Sequence, residues 1–225
     1  MKVNRRLLVV IALLAVLASV PARILVKHYS PQKGFLGLIY FGADFKTSRL
    51  AEVNRIDPPA VSRVGYDGQF YAQVALNPLL TRDDLAPALD NAAYRARRIG
   101  LPLVSYCLGL GRPEWILQSY ALLNFVFWFL LLAAICRFTG CLRYRDLFLA
   151  VALLWSTGTL TSVTRSLTDL PAAVLGVLAV LLSGKWIIAS VLLGAGALFR
   201  EVSALSFPVA CWKDSVAGKS TKRII

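Results

Sequence analysis

The segment ILQSYALLNFVFWFLLLAAIC, residues Ile116–Cys136, decides the fold class of this chain. It is an uncharged apolar run of about the 20 residues that a helix needs to cross roughly 30 Å of hydrocarbon. Apolar runs also lie on either side of it, at Leu7–Val26, Leu147–Val163, Leu170–Ser183 and Trp186–Trp212. The chain has 225 residues, of which 57% are hydrophobic, and a mean hydropathy of +0.64, too apolar for an ordinary soluble domain. These features predict an all-α integral membrane protein, a multi-span helical bundle with one large extracytoplasmic loop that contains short amphipathic helices.

Charge sets the expected topology. Lys2, Arg5 and Arg6 precede the first apolar run, which places the N-terminus in the cytoplasm. A cleaved signal peptide ending near Ala22 is the alternative, opposed by the apolar character that resumes after Pro21 at Ile24, Leu25 and Val26. Residues 27–98 are polar and form the loop. Their length lets them cross despite their basic residues, since loops beyond about 60 residues translocate largely regardless of charge. IGLPLVSYCLGLG, residues Ile99–Gly111, is too short to span and is expected to lie at the interface or to re-enter. Ile116–Cys136 then returns to the cytoplasm and delivers Arg137, Arg143 and Arg145 to the positive side. The expected organisation is an N-terminal anchor at 1–26, an extracytoplasmic loop at 27–115, a helical bundle at 116–212 and a basic tail at 213–225. The location that follows is a cytoplasmic membrane, crossed several times.

The net charge of +13 is the excess that cytoplasmic loops and lipid headgroups account for, and no nucleic-acid motif accompanies it. Membrane lipid is therefore an expected partner and nucleic acid is not. Cys107, Cys136, Cys141 and Cys211 form no CxxC pair, and His28 is the only histidine, so neither a disulfide framework nor a metal cage is indicated.

Chemistry concentrates in the loop. In GYDGQFYAQVALNP, residues Gly65–Pro78, the apolar Phe70, Tyr71 and Val74 recur at helical spacing, and Asn77 and Pro78 end the run. A short helix is expected to begin near Gly68 with Asp67 at its start, as an N-cap, a general base for an acceptor hydroxyl, or a ligand to a divalent cation. Gly65 and Gly68 would leave room for a substrate near the backbone. In LDNAAYRARRIGLP, residues Leu89–Pro102, Asp90 reads as an N-cap, and Arg95 and Arg98 share a helical face, suited to phosphate oxygens or to anionic headgroups. Asp83 and Asp84 read as solvated loop charges, and Asp169 as the cap of the span that follows it. Arg200 and Glu201 interrupt the last apolar stretch. Ionisable groups in such a place face a pathway, a partner or each other, unless the chain turns there and both are wet.

The run GYDGQFY, then ALNP, LDNAAYRARRIGLPL, SLTDLPA and ALFREVSAL, spread over Gly65–Leu205, resembles bacterial polytopic glycosyltransferases of the GT-C type, including cell-surface glycopolymer formation proteins. The resemblance implies a polyprenyl-phosphate sugar donor and transfer to an acceptor during cell-surface glycan assembly in the bacterial inner membrane. It implies Asp67 as the catalytic or metal-binding aspartate, with Arg95, Arg98 and Arg200 holding the donor phosphate. The cofactor, a divalent cation or none, stays open. GT-C enzymes generally have more spans, so the resemblance covers the first half of their architecture and implies a protein partner completing the bundle. The alternatives are a non-catalytic or transporter-like subunit of glycan assembly, or an inactive fragment.

Overall fold

The computed structural model describes residues 5–139 and 144–211. Cys141, Arg143 and the basic tail expected at 213–225 lie outside the described residues. The fold is mostly helical, with a single two-stranded sheet among the described residues.

The central element is α6, Pro113–Thr139, which contains the uncharged run and packs against helices from both the loop and the later segments. Ile116, Leu117, Ala121 and Trp128 are buried along it at helical spacing. The polar residues of the run have their own periodicity. Tyr120, Asn124 and Trp128 are four residues apart, so they form one stripe. Tyr120 Oη donates to the Ser166 carbonyl at 2.8 Å, Asn124 Nδ2 to the Leu167 carbonyl at 3.0 Å, and Trp128 Nε1 to the Leu154 carbonyl at 3.3 Å. Those carbonyls lie where two neighbouring helices end, and a buried helix end needs such donors.

The neighbours are α7, Tyr144–Leu154, and α8, Thr157–Arg165. They divide the segment expected as one span at Leu147–Val163, and they meet at a bend of 45°. The cause is local and tertiary together. Ser156 caps α8 by accepting from Thr159 N at 3.3 Å, while Trp128 of α6 satisfies the Leu154 carbonyl at the break.

The chain continues through α9, Asp169–Leu181, and α10, Trp186–Phe199, which pack closely together. Arg200 is extended and ends α10, and a further short segment occupies Glu201–Cys211. The expected spans at Leu170–Ser183 and Trp186–Trp212 are thus helices of 13 and 14 residues. At 1.5 Å per residue each covers roughly 20 Å, short of the hydrocarbon thickness. Among the described residues, Pro113–Thr139 is the one helix that meets the length and apolarity of a span by itself, and α7 with α8 meets it as a bent pair. The helical fold expected from the sequence is present, but among the described residues the number of crossings expected from apolar run lengths is not reached. The first apolar run lies in α1, Arg5–His28, which contains Pro21.

The loop folds against one end of α6. It carries α2, Ala51–Ile56, the pair β1, Phe41–Gly42, and β2, Ala60–Ser62, then α3, Gly68–Leu76, α4, Ala92–Ala96, and α5, Gly100–Leu108. The two strands pair in parallel. Three glutamines fasten the backbone. Gln69 accepts from Gly42 N at 2.9 Å and donates to the Val64 carbonyl at 3.0 Å. Gln73 accepts from Leu50 N at 2.9 Å and donates to the Ala88 carbonyl at 2.7 Å. Gln118 of α6 accepts from Phe35 N and donates to the Lys33 carbonyl, both at 2.9 Å. Each side-chain amide uses both its ends, so the irregular backbone is satisfied without a larger sheet.

Candidate functional site

Asp67 stands at the start of α3, as the apolar spacing predicts, but its side chain does not cap the helix. Its backbone is already helical, at φ −50° and ψ −34°, whereas a capping residue is normally extended so that its oxygen can reach back to the first turn. The carboxylate faces Arg95 instead. Arg95 Nη2 donates to Oδ1 at 3.0 Å, and Nη1 lies 3.0 Å from Oδ2. The Asp67 side chain is 48% exposed, so one face is held while the other meets solvent.

Arg95 is the centre of the cluster. Its Nε and Nη2 also donate to the two oxygens of Asp90, at 2.8 and 2.6 Å. The guanidinium is buried, with the rings of Phe70, Tyr71 and Tyr94 4.8 to 5.2 Å from its carbon. Burial works against its charge, but the hydrogen bonds with Asp90 and Asp67, together with Tyr71, outweigh it and hold the guanidinium above its ordinary range. In turn the Arg95 hydrogen bonds keep the Asp90 carboxyl below the usual carboxylate range. Asp90 is therefore not the N-cap expected of it. Asn91 caps α4, accepting from Tyr94 N at 2.9 Å.

Arg98 lies under the same Tyr94 ring, 4.5 Å from its centre, and donates to Tyr71 Oη at 3.4 Å. Its Nε and Nη2 grip both oxygens of Glu201 at 3.1 Å, joining the loop to the turn after α10. That turn seats itself through Phe199, which packs edge-on to Phe127 and lies so close to Gly100 that a Cβ there would be 2.6 Å from its ring. Arg200 pairs with Asp169, which is therefore an ion-pair partner; Thr168 holds the N-cap position of α9 and its side chain makes no capping bond. Arg200 and Glu201 do not pair with each other. Asp84 is bound to Arg82, which also grips Glu52.

All three arginines expected to hold a donor phosphate are thus engaged by carboxylates. The space expected beside the glycines is also filled by the protein. A Cβ at Gly65 would meet the Gln69 amide at 2.6 Å, and one at Gly68 would meet the Arg165 carbonyl oxygen.

Arg165, which no motif in the sequence marks, ends α8 with its carbonyl against Gly68, the residue after Asp67. Its guanidinium carbon is 4.3 Å from the centre of the Tyr66 ring and 5.2 Å from that of Tyr40. Its signal in the sequence is a lone cation closing the hydroxyl-rich TGTLTSVTR. Four residues further on, Asp169 stands at the rim of an apolar cleft of about 300 Å³ lined by Leu131, Leu153, Leu170 and Val177.

Among the described residues no group of three or more His, Cys, Asp or Glu side chains could hold a metal ion. The carboxylates of Asp67 and Asp90 both turn to one guanidinium. No protein-family model matches the chain, and neither a curated protein nor a solved structure shows significant similarity to it.

Proposed function

We propose that the protein is a membrane glycosyltransferase of the GT-C kind, which transfers a sugar from a polyprenyl-phosphate donor during cell-surface glycan assembly. In this reading it lies in a bacterial inner membrane as a multi-span bundle, α6 being one crossing and α7 with α8 a bent one. Another protein would cover the short α9 and α10. The observation that carries the reading is the state of Asp67, a half-exposed carboxylate fixed by a buried arginine. A general base needs that combination of defined position and open access. The apolar cleft lined by Leu131, Leu153, Leu170 and Val177 offers a trough for a hydrocarbon tail. Arg95, Arg98 and Arg200, which the resemblance assigns to the phosphate, act here through the carboxylates they hold.

A second reading is favoured by the pairing itself. Asp67, Asp90, Glu201 and Asp169 each have an arginine, as in a scaffold subunit whose charges only hold the loop. One experiment separates the two. In a strain lacking the protein, the chain and its Asp67→Asn variant are expressed to equal membrane levels, and surface glycan is profiled. Catalysis predicts a loss of about 100-fold or more for the variant, the usual scale of a general base. Equal rescue by both would leave the scaffold reading.

A further inference from the structure

From its unused donors and its place beside Asp67, we infer that Arg165 is the contact for the phosphate of an anionic ligand. The inference rests on the transfer reading and deepens it by moving the phosphate from Arg95, Arg98 and Arg200 to a residue that reading did not include. Among the described residues Arg165 has no carboxylate within ion-pair distance, and its guanidinium donates no hydrogen bond to the protein. Arg95 and Arg98, by contrast, each spend two or more donors on carboxylates. The planar fork of arginine matches two phosphate oxygens at once, and it can do so only where those donors are free.

Arg165 is also pre-positioned. Stacking on Tyr66 and Tyr40 restricts a side chain that would otherwise sweep through many rotamers. Tyr40 takes part from a backbone conformation that a bulky residue seldom adopts, φ +63°. A strained residue of this kind is retained where the surrounding structure requires it, and here it supplies a ring to a cation. The backbone brings this cation to Asp67. Gly68, the first residue of α3, packs directly on the Arg165 carbonyl, and Tyr66 N donates to the Tyr40 carbonyl at 3.0 Å. A head group on Arg165 would lie over Tyr66, the residue before the half-exposed carboxylate of Asp67.

The test is binding, read without turnover. The full chain in phosphatidylcholine nanodiscs is titrated with a polyprenyl phosphate and, separately, with inorganic phosphate. Arg165→Gln, which removes no hydrogen bond to the protein but only the two ring contacts, is expected to keep a cooperative melt and to bind at least tenfold more weakly, with Arg165→Lys between the two. Arg165-dependent binding of the polyprenyl phosphate alone identifies a lipid head group, and of both probes a phosphate of either source. Binding of the polyprenyl phosphate that is equal in wild type and Arg165→Gln would overturn the inference while leaving the transfer reading standing. No binding of either probe by wild type would sink the donor reading and the inference together.

Discussion

The loop and the later helices are ordered by opposite means. In the loop, polar side chains are buried and satisfied. Gln73 is 1% exposed with both amide ends bonded to backbone, and Arg95 is 3% exposed between two carboxylates. Exposed apolar side chains occur in both regions, Leu79 and Leu110 of the loop among them, but in the later helices they are concentrated, α10 alone turning Trp186, Ile187, Ile188, Val191 and Leu198 outward. A water-facing surface rarely carries large apolar groups so densely, whereas lipid or a partner helix would cover them. Directional bonds hold an irregular chain in one conformation, and an apolar exterior leaves the helices dependent on what surrounds them. A site that needs a fixed carboxylate belongs in the first kind of region.

The largest expected effect breaks the comparison on its apolar side. Val191 lies in α10 and is 65% exposed. If this face meets hydrocarbon, Val191→Arg costs about 2.5–3.5 kcal/mol of insertion and sharply lowers the amount recovered in membranes. The same change at Val64, an exposed loop residue, should leave recovery unaltered. Equal recovery of both variants would mean that water or protein, not lipid, covers α10. The next effect tests the polar side. Gln73→Leu keeps the bulk but strands the Leu50 amide and the Ala88 carbonyl, at about 1–3 kcal/mol for each unsatisfied group. Hydrogen exchange should show the Leu50 amide losing protection by roughly 2 kcal/mol or more. Protection unchanged from wild type would show that the loop does not rely on this amide.

These two regions also differ in how far the sequence discloses them. α6 is legible because an uncharged run of that length has few other uses, and α3 because Phe70, Tyr71 and Val74 share a face that Asn77 ends. The bend between α7 and α8 is less legible. It depends on Trp128, which serves the Leu154 carbonyl at the bend, while Tyr120 and Asn124 serve the carbonyls that follow α8; all three donors look like flaws in an apolar run until those carbonyls are in place. Asp67 and Asp90 were readable as functional or capping residues from their local setting. The outcome was decided by Arg95, 28 residues from Asp67 in the chain. A bidentate bond to arginine is stronger than a single bond to a backbone amide, so for Asp67 the distant partner wins over the near one. β1 and β2 are too short to show any period.

The smallest expected effect concerns the link between the regions. Glu201 lies 103 residues from Arg98, and their two hydrogen bonds tie the turn after α10 to the loop. Because the Glu201 side chain is 53% exposed, solvent screens the pair, and Glu201→Gln should cost no more than about 1 kcal/mol of stability. Its effect on the site is indirect. Arg98 shares the Tyr94 ring with Arg95 and touches Tyr71, which also packs on Arg95, so loosening Arg98 reaches Asp67 through two aromatic contacts. If the link positions the carboxylate, Glu201→Gln lowers the transfer rate severalfold with KM little changed, and Glu201→Asp, which keeps the charge, restores part of it. If both variants match wild type in rate while Asp67→Asn does not, the loop holds its site unaided, and the turn after α10 serves only to close the bundle.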